Sequence, residues 1–84
     1  MVLFKSSVTK ELMNYFLTNS GEELYVNEMV RKLSLDKRNL GKKLKELESL
    51  GIMKSRKYGN LKLYSINKKY ALYKEIKKIV IKGA

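Results

Sequence analysis

The sequence predicts a mainly helical α+β domain carrying one small β-hairpin, in the order α-β-α-α-β-β-α. Three observations predict it. Leu40, Leu44 and Leu47 recur at helical spacing inside a basic stretch, with Leu50 near its end. Gly59-Asn60 lies between two β-compatible runs, the signature of a two-residue hairpin turn. The segments before and after return to a helical apolar period, and no proline interrupts the chain. Eighty-four residues with 44% apolar composition suffice for one modest core, a single domain over 1–84.

Taken in order, Ser7–Thr18 is the first helix, capped by Ser6 or Ser7, with Val8, Leu12, Met13, Tyr15 and Phe16 along one stripe. Asn19-Ser20-Gly21 ends it, with Asn19 or Gly21 taking the left-handed conformation. Leu3 and Phe4 precede the cap and either pack on this helix or extend a surface for a partner. Glu22–Val26, with Leu24, Tyr25 and Val26, reads as a brief strand. Asn27 then caps a two-turn helix, Glu28–Leu33, whose buried side is Met29, Val30 and Leu33. Ser34-Leu35 is a tight connection. Asp36 caps the next helix, about 36–50, and Gly51 suits the left-handed position just past its end. Its leucines, Leu50 included, form one face; Arg38, Lys42 and Lys45 lie opposite, flanked by Asn39 and Glu46. A short helix, a tight turn and a longer basic helix make a helix-turn-helix arrangement.

The hairpin covers about 52–66. Leu61, Leu63 and Ser65 alternate with Lys62, Tyr64 and Ile66, and Tyr64 and Ile66 are expected on the core side; a slip of one residue would exchange the faces. Lys54, Arg56, Lys57 and Lys62 surround Tyr58 and make the tip basic. A lone hairpin is marginal in water, so it must lean on the helices. The closing helix starts at Asn67 or Lys68 and runs to about Ile81. Tyr70, Tyr73, Ile76 and Val80 line one side, which Leu72 and Ile79 broaden.

Charge narrows the function. The net charge is +11, unevenly spread: residues 1–30 hold two lysines against four glutamates, leaving −2, and residues 31–84 hold seventeen basic against four acidic side chains, leaving +13. A field so concentrated points to a polyanion partner. Cysteine and histidine are absent, which excludes disulfides and thiolate metal sites and removes the commonest general base and nucleophile pairs. No Gly-rich phosphate loop is present, and Glu46 and Glu48, two apart on a helix, point in different directions. No enzymatic activity, cofactor or metal is therefore expected. The longest uncharged run, Leu12–Gly21, is ten residues, about half a membrane span. Lys10 and Glu11 interrupt what would be a secretory apolar region, so no membrane association and a cytoplasmic location are expected.

The segment Val26–Asp36, the leucines Leu40, Leu44 and Leu47 followed by Gly51-Ile52, and Leu63–Asn67 together resemble winged helix-turn-helix transcriptional regulators, specifically ArsR- and MarR-like members, over roughly Val8 to Val80. The resemblance implies a sequence-specific regulator of double-stranded DNA, with the recognition helix in the major groove and a basic wing on the backbone. On that basis Arg38, Asn39 and Lys42 are the candidate base contacts, since Arg pairs well with guanine and Asn with adenine. Lys37, Gly41, Lys43, Arg56, Lys57, Tyr58 and Lys62 are the candidate backbone contacts. Metal-sensing members use Cys and His ligands, which this chain lacks. Where such helices often place Ser or Thr, this one has Asn39 and Gly41; the glycine costs about 1 kcal/mol of helix stability relative to Ala, either tolerated for close approach to DNA or an unremarkable loss.

Leu72, Tyr73, Ile76, Ile79 and Val80, with Leu3, Phe4 and Met13, offer more apolar surface than a small soluble domain tolerates, and a homodimer is expected to cover it. A two-fold axis there would place two recognition helices for successive major grooves. The alternative is an adaptor whose first and last helices dock a partner subunit, as such domains do in archaea and bacteria. A third reading, single-stranded nucleic acid or RNA stacked on Tyr58, rests on that one residue.

Overall fold

A computed structural model describes residues 7–83 and folds them as α1 (Ser7–Thr18), α2 (Val26–Leu33), α3 (Lys37–Ser49), β1 (Met53–Tyr58), β2 (Leu61–Ile66) and α4 (Tyr73–Gly83). This is a small α+β arrangement of four helices and a two-stranded antiparallel hairpin. Leu12, Met13 and Phe16 of α1, Met29 of α2 and Leu40 and Leu44 of α3 are completely buried and meet Met53 and Ile66 of the hairpin. Each such side chain contributes about 1.5–3 kcal/mol through removal from water. α4 closes the far side by packing on α1, with Ile76 buried and Tyr73 partly buried.

α1 has the bounds its apolar period predicts, but neither Asn19 nor Gly21 takes the expected left-handed conformation; the Asn19 N–H and side-chain amide both donate to the Tyr15 carbonyl and close the helix without it. Met13 is 0% exposed, so it belongs to the core and not to a partner surface. Leu3, Phe4 and Ser6 lie outside the described residues.

The expected strand Glu22–Val26 reduces to a single bridge. Leu24 N–H donates to the Tyr64 carbonyl at 3.0 Å, and Tyr64 N–H donates back at 2.8 Å. No longer ladder forms because α2 begins at Val26. The cap of α2 is accordingly Tyr25 rather than Asn27, which sits within the first turn. Glu28 explains the earlier start: its carboxylate accepts the Tyr25 N–H at 3.1 Å, satisfying a donor that the helix itself leaves free.

Asp36 caps α3 as expected, accepting the Asn39 N–H at 3.0 Å. Gly51 leaves the helix at φ +82, and Ile52 N–H then donates to the Leu47 carbonyl. That reversal puts Ile52 into the core at 7% exposure and leaves Leu50, the cap residue, 64% exposed, so Leu50 is not part of the buried stripe.

The hairpin turns at Gly59-Asn60, pairing Met53 with Ile66, Ser55 with Tyr64 and Lys57 with Lys62. Tyr64 and Ile66 are buried as predicted. Ser65, on the opposite face, is also buried, at 7% exposure. The closing helix starts later than the sequence suggests. Asn67 takes its side chain out of any helical role: the amide donates to the Gly51 carbonyl at 2.8 Å and its oxygen accepts the Lys69 N–H at 3.1 Å. The chain turns through 68–72, and the first α4 bond runs from Ile76 N–H to the Leu72 carbonyl. Leu72 thus caps α4 rather than lying within it. Among the described residues no helix is long and apolar enough to cross a membrane.

Candidate nucleic-acid interface

With its leucine face locked into the core, α3 turns Lys37, Arg38, Asn39, Lys42 and Lys45 to the outside, all exposed. Arg38, Lys42 and Lys45 follow the i, i+4, i+7 spacing and form one continuous stripe. No ion pair among the described residues engages Lys37, Arg38, Lys42 or Lys45. Lys37 and Arg38 stand in the first turn, which holds no acidic residue, so they sit against the positive end of the helix dipole. Lys43 is partly shielded and reaches Glu46 at 3.4 Å. Gly41 is half-buried, and nothing lies within 4 Å of where its Cβ would stand.

The hairpin's expected backbone contacts do not form one set. Side chains alternate across a strand, so Lys54, Arg56 and Tyr58 share a face with Ser65, Leu63 and Leu61, while Ser55 and Lys57 share the other with Tyr64 and Lys62. Arg56 is gripped by Glu23 in a bidentate pair, Nε and Nη2 each 2.7 Å from a carboxylate oxygen, and its guanidinium lies over the Tyr58 ring at 5.7 Å. On the opposite face Glu48 of α3 accepts a hydrogen bond from the Ser55 hydroxyl and faces Lys62 across 3.5 Å. Both carboxylates are held below their ordinary pKa. For Glu23 the cause is first the hydrogen bonding from Arg56 and then its charge; for Glu48 it is first the Ser55 hydroxyl and then Lys62. Lys57 and Tyr58 remain exposed at the tip, Tyr58 by 66%, and no ion pair among the described residues engages Lys57.

Glu23 and Glu48 were not among the sequence-derived site residues. Arg56 lies 33 residues from Glu23, and Ser55 and Lys62 lie 7 and 14 residues from Glu48 in different elements, so no single helical or strand period links them. On the closing segment Leu72 is 52% and Ile79 43% exposed, whereas Ile76 lies in the core of its own chain. Val80's side chain lies outside the described residues. Among the described residues no three acidic side chains are grouped to hold a metal ion. The chain matches no family model, no curated protein and no solved structure.

Proposed function

We propose that the chain is a winged helix-turn-helix transcriptional regulator that binds double-stranded DNA, with α3 in the major groove and the hairpin against the phosphate backbone. The observation that carries this reading is the unpaired cationic stripe of α3 on a helix whose other face is fully committed to the core. Thirteen residues give a rod about 20 Å long, and the major groove, about 12 Å wide, admits a helix. Arg38, Asn39 and Lys42 meet base edges; Lys37, Lys43 and the Gly41 backbone meet phosphates. Lys57 and Tyr58 make the hairpin's first contact, and Arg56 and Lys62 join only by exchanging a carboxylate partner for a phosphate. Two chains pair through Leu72 and Ile79.

A gel-shift series against duplex, single strand and RNA tests this across salt. About six phosphate contacts lower duplex affinity roughly a thousandfold between about 50 and 200 mM salt. Salt-independent binding, or no binding at low salt, removes the reading. The same exposed Leu72 and Ile79 favour the second reading, an adaptor docking a partner subunit. That reading predicts no duplex affinity even at low salt.

A further inference from the structure

At the base of the hairpin, on the face that carries Lys54 and Ser65, an open cavity of about 340 Å³ lies between the turn after α1 and the segment leading into α4. Its lining is cationic. Lys54, Lys68 and Lys69 border it, and its acid is Glu23, whose carboxylate is already engaged at both oxygens by Arg56. The lysines come from two segments, β1 and the turn before α4, whose backbones are fixed. Lys54 stands directly across the ladder from Ser65, and Asn67 fixes the Lys68-Lys69 turn through its bonds to Gly51 and to the Lys69 N–H. Ser65 is 7% exposed and borders the cavity. Among the described residues no buried side-chain polar atom is left without a partner, and the Ser65 hydroxyl enters none of the side-chain hydrogen bonds, so it keeps some access to solvent.

We infer that this cavity binds a phosphate group, carried either by a small phosphorylated molecule or by a DNA backbone. Three lysines and a serine on one lining, all able to donate, match a group that presents several acceptor oxygens and more than one negative charge. Clustered cations also raise the local concentration of such an anion. The site takes its donors from the hairpin and the pre-α4 turn, and it does not depend on α3 reading DNA.

The test is an NMR titration of the isotope-labelled full chain with inorganic phosphate, at constant ionic strength balanced by chloride. Saturable shifts of the Lys54, Ser65 and Lys69 amides are expected, with affinity about tenfold weaker in the Lys68→Gln/Lys69→Gln variant. These are exposed side chains, and the unshifted spectrum of the variant reports that it folds. Shifts that fail to saturate, that chloride reproduces, or that survive the double substitution overturn the inference. A duplex arm separates the two sources. If a backbone phosphate fills the site, duplex moves the same amides and blocks the phosphate titration; if a small molecule does, duplex leaves them unmoved and phosphate titrates as before. Absence of duplex binding would sink the proposed function and leave the phosphate titration standing.

Discussion

Glu48 accepts a hydrogen bond from Ser55 and faces Lys62, so one carboxylate on α3 ties that helix to both strands of the hairpin. Its pKa is depressed in the folded chain, and the sign of the linkage follows. A carboxylate with a lower folded pKa stabilises the fold above its unfolded pKa, and that contribution is lost as pH falls through the folded value. The unfolding midpoint is therefore expected to hold from neutral pH to about 4.5 and to drop below it, Glu23 acting in the same direction. Glu48→Gln should lower the midpoint at neutral pH and flatten the acid limb; a denaturation series across pH reads both. On α3, Arg38→Ala or Asn39→Ala should cost about 1–3 kcal/mol on the preferred duplex and relax base choice. Lys57→Ala should weaken all sequences alike and reduce the salt slope by about 1. Glu23→Gln, by releasing Arg56, should strengthen binding to every duplex. If the α3 and hairpin variants lose affinity uniformly, α3 does not read bases.

Among the elements, those set by local chemistry were legible in the sequence. α1 ends where Asn19-Ser20-Gly21 says it should, and Asp36, Gly51 and Gly59-Asn60 each occupy the role their side chain or lack of one suits. What misled was chemistry with two uses. Asn27 looks like a cap but is overruled by Glu28 reaching back to Tyr25, and Asn67 looks like a helix start but spends its amide on Gly51 and Lys69. Ser34, left-handed at φ 54, gives no sequence signal because serine rarely adopts that conformation. The contacts across the site were illegible for another reason: no period links Glu23 to Arg56 over 33 residues. Two glycines separate conformational need from available space. Gly51→Ala should cost about 1–2 kcal/mol, since φ is +82 there. Gly41→Ala should instead stabilise the free chain by about 1 kcal/mol, because its Cβ would meet nothing within 4 Å. Its assignment to the DNA backbone predicts that this more stable variant binds duplex more weakly. Unchanged affinity in the gel shift removes Gly41 from the interface.

At the scale of the molecule, one ion pair crosses the charge split along the sequence: Glu23 from the acidic first thirty residues holds Arg56 on the basic hairpin. Met13 and Ile76 are taken into the core, while Leu72 and Ile79 are the exposed large apolar side chains at α4 among the described residues. Ile79 lies within α4 and Leu72 stands at its start. The proposed homodimer is tested on these two residues. Sedimentation equilibrium over a concentration series measures it directly: the average mass should rise from 9.8 kDa toward twice that value. Leu72→Lys and Ile79→Lys should hold it at the monomer without unfolding the chain, since both side chains already face water. On a duplex with two half-sites about 34 Å apart, the wild type should bind cooperatively and the lysine variants independently. A monomer at every concentration, or a dimer indifferent to both lysines, removes α4 as the seam and leaves each chain to occupy its site alone.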